Sequence, residues 1–457
     1  MLNMTLGEVA MWTHGTLHGG VAQVRGASAD TRALQPGMLF VALAGERVDG
    51  HDFLARAAAA GATGALVARR IDGALAQIQV ADTLAALGDL ASAVRARSAA
   101  EVIGITGSSG KTTVKNLCAA ILAGVAATHA TQGNQNNEIG LPLSLLNMRD
   151  DARYAVLEMG AGKPGDIAYL AAIARPRVAL VNNVAPAHLQ RLGSIEGVAE
   201  TKGAIYAALP ADGIAVINAD DVFAGYFTAQ AGARRVLRFG RAAEAEICAT
   251  QVHSDLDGSR FVLHTPSGTA PVKLSLPGAH NVLNALAAAA LAHALDLTPQ
   301  HIAEGLARVG AVHGRLMRRT MAGGWTLLDD SYNANPASVA AAIDTLALAP
   351  GETWLVLGDL AELGPDAQVL HAELGRKARA AGITRLWTVG QLSAAASTAF
   401  GAAARHFEDQ AALAAALQVA VHAGVTCLVK GSRSSAMERV IAQLDQVDAH
   451  GGHADAV

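Results

Sequence analysis

Aromatic residues make up only 4% of this 457-residue chain, and its formal charges nearly cancel, at -4 with a pI near 6.5. A nucleic-acid binder needs a basic face or stacking aromatics, and neither is provided. Cysteine is scarce. Cys118, Cys248 and Cys427 are scattered, form no metal-ligand or disulfide spacing, and fit a reducing compartment. The first residues, MLNMTLGEVAMW, hold no basic segment followed by an apolar one, so no signal peptide is expected there. The longest helix-like apolar run, NVLNALAAAALAHALDL at 281–297, carries two asparagines and a histidine and reads as a buried helix, not a membrane span. A soluble cytoplasmic protein without a nucleic-acid partner is expected.

The composition, 51% hydrophobic and 16% charged, is that of a globular chain, and the length implies roughly two to four cores. Three stretches separate. Residues 1–98 open on the capping-box spacing Thr5 to Glu8 and alternate short strands and helices, a small α/β unit. Over 99–312, strands EVIGIT, YAVLEMG and RVALVNNV alternate with helices, which favours a parallel sheet with crossover helices. From about 213 to 276 the same stretch shows shorter strands (GIAVINAD, RRVLRFG, SRFVLHT, PVKLSL), an added smaller sheet. Residues 313–457 alternate again, from WTLLDD to TCLVKGS, as a Rossmann-like sheet. The tail QVDAHGGHADAV lacks periodicity and reads as frayed, with His450 and His453 as tail residues.

The stretch VIGITGSSGKTTVKNL, 102–117, carries the first chemistry. The usual phosphate loop, Gly-x-x-x-x-Gly-Lys-[Ser/Thr], would need a glycine where Ile105 stands, so this loop is shorter. Its context is nevertheless right. A β-branched strand precedes it, and Val114, Leu117, Cys118, Ile121 and Leu122 mark one face of a helix that ends at Gly124. Free N–H groups and the helix dipole favour an anion there, Gly107 and Gly110 let the backbone approach it, Lys111 adds a charge, and Thr112 can ligate Mg²⁺. The pattern implies a nucleotide without saying which one.

Acids at strand ends narrow the chemistry. Glu158 closes YAVLEMG, where a mononucleotide-binding sheet presents a metal-holding carboxylate, and Asp329 and Asp330 close WTLLDD. Taken singly, such acids are as well explained by solvation. His188 falls in a loop after RVALV, and Lys202, in GVAETKGAIYAAL, reads as a surface helix lysine.

Several segments together resemble the Mur ligases, which build the peptide stem of peptidoglycan. They are TGSSGKTTVKN, GNQNNEIGLPLSLL (133–146), LEMGAGKPGDIAYL (157–170), APAHLQRLGSIEGVAETKG (185–203), GAHNVLNALAAAA (278–290), HGRLM (313–317), DDSYNANPAS (329–338), GDLAELG (358–364) and KGSRSSAME (430–438). ADTRALQPGMLFVALAGERVDGHDF (29–53) resembles the family's uridine-nucleotide segment. DDSYNANP and GDLAELG point to the branch that adds D-alanyl-D-alanine to a UDP-N-acetylmuramoyl-tripeptide, and the DNPR-type motif of the diamino-acid-adding branch is missing.

The resemblance implies three domains and the following roles. Gly107, Ser108, Ser109, Gly110, Lys111, Thr112 and Thr113 cradle ATP phosphates, and Thr112 and Glu158 hold one of two Mg²⁺ ions. His188 and a carbamylated Lys202 hold the second, so that Lys111, His188 and Lys202 form the catalytic set. Asn281 and Asn284 meet adenine, while Arg315 and Asp330 face the phosphates and ribose. Asp30, Thr31 and Arg32 meet UDP, and Asn134, Asn136 and Asn137 line the muramoyl-peptide path. Asn333, Asn335 and Arg433 position the dipeptide, and the enzyme is expected to act as a monomer. The chain departs from the family pattern at Ala204, where Glu is frequent, and in GDLAELG for the usual GDMLELG. Two other readings share parts of the pattern. A folylpolyglutamate synthetase-like ligase would share the loop but not the ADTR segment; against a nucleotide-switch or motor ATPase stand the absence of a guanine-reading NKxD motif and the shortened loop.

Overall fold

The computed structural model describes residues 3–45, 48–73, 75–186, 189–310 and 314–451, with side chains described up to 445. Thr5 caps helix Leu6–Trp12 in a two-way capping box with Glu8. Behind it a five-stranded sheet runs in the order Thr16–His18, Ala76–Gln79, Gly64–Val67, Leu39–Val41, Ala27–Ser28, parallel except for its first pair. Helix Thr83–Arg97 then leads into the central strand Glu101–Thr106.

The central sheet has six parallel strands, in the order Arg235–Phe239, Ile214–Asn218, Val178–Val181, Glu101–Thr106, Tyr154–Glu158, Thr128–Ala130. Its strands are apolar on both faces because alternate residues enter different cores. Val102, Leu157 and Val181 point into one, against Ile167 and Ile205, while Ile103, Val156 and Leu180 point into the other, against Val114 and Leu286. The strands in GIAVINAD and RRVLRFG extend this sheet rather than forming the small one. The small sheet is the antiparallel set Cys248–Asp255, Gly258–Thr265 and Gly268–Leu274. Strand propensity alone could not assign them, since sheet membership depends on distant partners.

The C-terminal sheet orders Met317–Thr320, Thr326–Asp330, Val425–Lys430, Glu352–Gly358, Arg385–Val389 and Ala404–Phe407, with the first strand antiparallel. Helices cover both faces over two separate clusters. Helix Glu438–Gly451 continues into the segment read as a frayed tail. Among the described residues no helix is long and apolar enough to cross a membrane.

Candidate active site

The chain reaches the phosphate loop at the carboxyl end of Glu101–Thr106 and leaves it along helix Lys111–Ala123. Gly107 and Gly110 have φ of 151° and 76°, and a Cβ on Gly110 would fall 2.4 Å from Asn284 Oδ1. Only glycine fits that second position. No side chain caps the helix, so its first N–H groups face the space in front of it. The loop is braced from the neighbouring strand. Asn183 Oδ1 accepts from Ser109 N at 2.9 Å, and Asn182 Nδ2 donates to Ser109 O and to Asn284 Oδ1, each at 3.0 Å. Asn284 in turn donates to Asn281 Oδ1 at 3.2 Å.

Glu158 stands on the strand beside the loop strand. Its carboxylate accepts from Thr112 Oγ1 at 2.9 Å and from Asn136 Nδ2 at 2.8 Å, and Lys115 Nζ lies 3.8 Å away, fully inside the protein. Among the described residues no three His, Cys, Asp or Glu side chains gather. One carboxylate and one hydroxyl beside a phosphate loop fit Mg²⁺, which takes its other ligands from phosphates and water. Lys111 Nζ folds onto Gly107 O at 2.8 Å; burial lowers its pKa, Glu158 raises it and Arg315 lowers it.

Lys202 is not on the surface. It is 1% exposed on helix Ile195–Ala207, and among the described residues no carboxylate pairs with it. Burial pushes its ammonium well below the ordinary lysine range, and the charge of Lys111 pushes it further. The reading as a surface lysine overlooked its register. Val198, Ala199, Ile205 and Tyr206, at three and four residues on either side, are all buried, so Lys202 shares the apolar face. A buried lysine with no counter-charge suits conversion to an anionic group. His188 lies outside the described residues.

The C-terminal region closes over the same space. Asp330 is buried, which raises its carboxyl pKa, against the pull of Lys430 Nζ at 2.6 Å. Lys430 also donates to Asn333 O, and Arg433 N donates to Asn333 Oδ1, both at 3.1 Å. Asn335 caps helix Pro336–Leu346 and reaches back to Ser108 O at 3.2 Å. One cavity of about 1070 Å³ is lined by Lys111, Thr112, Glu158, Asn136, Asn281, Asn284, Arg315, Asp330, Asn333 and Arg433, together with Ser108, Ser109, Gly110, Thr113, Asn134, Asn137 and Asn335. Gly107, Lys202 and the Asp30–Arg32 turn are not in its lining. In that turn Arg32 donates to Asp30 through Nε and Nη2, and this hydrogen bonding holds the Asp30 carboxyl down to about 2.

Sequence reasoning missed Asn182, Asn183, Lys115 and Lys430. Lys115 carried a signal, because it follows Lys111 by one helical turn. The asparagines and Lys430 end apolar strands, as Glu158 does.

Sequence profiles described as "Mur ligase family, catalytic domain", "Mur ligase middle domain" and "Mur ligase, glutamate ligase domain" match residues 23–95, 105–292 and 314–433. The chain is 46% identical to the UDP-N-acetylmuramoyl-tripeptide–D-alanyl-D-alanine ligase of Escherichia coli, over 98% of its own length and 99% of that protein's. It is similar to a solved structure of the UDP-N-acetylmuramoylalanyl-D-glutamyl-2,6-diaminopimelate–D-alanyl-D-alanyl ligase from Acinetobacter baumannii, with TM-score 0.87, 34% identity and coverage of 98% and 99%. It is also similar to the MurF ligase of Thermotoga maritima solved with ADP, with TM-score 0.83, 29% identity and coverage of 94% and 99%. A likeness this high over nearly the whole chain has one meaning: the chain belongs to the Mur ligase family.

Proposed function

We propose that the protein is an ATP-dependent ligase that joins D-alanyl-D-alanine to UDP-N-acetylmuramoyl-tripeptide, releasing the pentapeptide product, ADP and phosphate, in peptidoglycan precursor synthesis. The observation that carries this reading is the single cavity where the phosphate loop, Glu158 with Thr112, and the DDSYNANP loop converge. Forming an amide from a carboxylate and an amine in water is uphill. The tripeptide carboxylate therefore attacks the γ-phosphorus of ATP, and ADP leaves. The dipeptide amine then attacks the acyl carbon, loses its proton, and phosphate departs. The first step brings an anion onto a polyanion, so Lys111 and the free N–H groups of its helix hold the transferring charge. Thr112 and Glu158 would hold one Mg²⁺, and His188 with Lys202 a second, and bound Mg²⁺ supplies charge neutralisation on the phosphates.

Lys202 works as its carbamate in this reading: burial favours the neutral amine, whose lone pair attacks the carbon of CO₂, and loss of an N–H proton leaves an anionic oxygen ligand. Asn281 and Asn284 meet adenine, and Arg315 and Asp330 meet the phosphates and ribose. Stretch 1–98 takes the UDP-muramoyl end through Asp30, Thr31 and Arg32, 99–312 takes ATP, and 313–457 takes the dipeptide through Asn333, Asn335 and Arg433. The muramoyl peptide runs past Asn134, Asn136 and Asn137. ATP and a UDP-linked substrate suit the cytoplasm, and one chain carrying every binding region suits a monomer. Phosphate release should require ATP, UDP-muramoyl-tripeptide and D-alanyl-D-alanine together. Release that is undiminished without the muramoyl peptide would refute the assignment.

A further inference from the structure

Two cations line this cavity without a task in phosphate binding or in the fold. Lys163 lies in the turn that follows Glu158, and Arg191 on helix Leu189–Leu192. Asp166 Oδ2 accepts from Gly162 N at 2.8 Å and from Lys163 N at 2.9 Å, which fixes the turn. A Cβ placed on Gly162 would lie 3.5 Å from Arg191 Nη1, so the guanidinium rests against the turn that carries Lys163. Gly160 N donates to Asn136 O at 2.7 Å, tying the same turn to the asparagine loop that holds Glu158. Both cations are exposed, and among the described residues neither makes an ion pair or a side-chain hydrogen bond. Some other exposed arginines are engaged, Arg32 with Asp30, Arg149 with Asp151 and Arg433 with Glu438, while Arg25, Arg70 and Arg260 are not; what sets Lys163 and Arg191 apart is that they line the cavity.

We propose that Lys163 and Arg191 clamp a non-reacting carboxylate of the muramoyl-peptide substrate and so set its specificity. The inference rests on the function given above. Whichever carboxyl of the glutamyl residue forms its amide, the other stays free. When the third residue is a diaminopimelate, one of its two carboxyls reacts and the other stays free as well. A third-position lysine keeps the side-chain ammonium and lacks only that second carboxylate. A guanidinium fork beside a flexible ammonium is the donor set that holds such a group.

The test is steady-state phosphate release at saturating ATP and D-alanyl-D-alanine, with tripeptides ending in diaminopimelate or in lysine. The Lys163→Ala/Arg191→Ala double variant should raise KM for the diaminopimelate substrate about tenfold or more, the scale of a lost charge-assisted hydrogen bond. Its kcat and its KM for ATP should stay near wild type, and Arg191→Lys should recover part of the loss. If the preference for diaminopimelate over lysine collapses, the clamp reads the distal carboxylate; if both KM values rise together, it reads the glutamyl one. Unchanged KM for both substrates overturns the clamp while leaving the ligase assignment standing. A wild-type enzyme that turns over neither tripeptide overturns both.

Discussion

Arg315 Nη2 donates to Thr112 Oγ1 at 3.1 Å, joining the entry to the C-terminal sheet with the first turn of the phosphate-loop helix. The same guanidinium lies 4.5 Å from the ring centroid of Tyr332, which fixes its direction. The hydroxyl that donates to Glu158 is therefore also read by the C-terminal region. The phosphate loop and the C-terminal region are coupled through two side chains.

Lys111→Ala should abolish ligation and leave the fold intact, because the side chain's hydrogen bond, to Gly107 O, stays within its own loop. Phosphate release above about a tenth of the wild-type rate, a barrier change under roughly 1.4 kcal/mol, would contradict its role. Circular dichroism checks the fold.

Arg32→Ala should weaken binding of the UDP-muramoyl substrate and leave ATP affinity nearly unchanged. The Asp30–Arg32 turn stands apart from the cavity lined by the phosphate loop. Calorimetric titration showing equal losses for both ligands would rule out this division of labour.

Lys202→Ala should lose most activity, and formate or acetate should restore part of it by filling the vacated space. Lys202→Arg should stay inactive, since arginine cannot be carbamylated and stays charged. Near-wild-type turnover by the arginine variant would end the carbamate reading.

His280 gives a pH dependence of stability. Burial chiefly, and then the charge of Lys430, depress its pKa from 6.5 to about 4, with Asp344 opposing. The folded state thus holds the ring neutral. Above pH 6.5 neither state is protonated there and nothing is lost. As pH falls from 6.5 toward 4 the unfolded chain takes up the proton first, costing up to about 3 kcal/mol. His280→Asn should flatten that decline in thermal melts between these pH values, and an unaltered slope would show that another group causes it.

What the sequence disclosed was what depends on near neighbours. The helix face from Val114 to Leu122 is buried as its periodicity requires, and the capping box from Thr5 to Glu8 forms. Glu158 meets Thr112 because a strand end and a loop on the adjacent strand must lie side by side. Partners distant in the chain stayed hidden. Nothing local says that Asn182 and Asn183 brace Ser109, that Lys430 meets Asp330, or that Asn335 reaches Ser108. Lys202 was legible in its register but was read by residue type, since lysine seldom stays inside a protein.

The way the cores are divided sets how the molecule should melt. One apolar cluster runs without a break from Leu6 and Leu66 through Leu87 and Leu90 to Ile167 and Ile217, so the first two sheets share their interior. The C-terminal clusters are separate, and among the described residues Leu256 is the one central side chain packed on them. Contacts across that seam are mostly polar, such as Arg315 with Thr112 and Asn335 with Ser108. Heating should therefore give two heat-absorption peaks, a larger one for the fused N-terminal and central unit and a smaller one for the C-terminal unit. A nucleotide analogue that engages both sides of the seam should draw the peaks together, because its binding energy is lost whichever unit opens first.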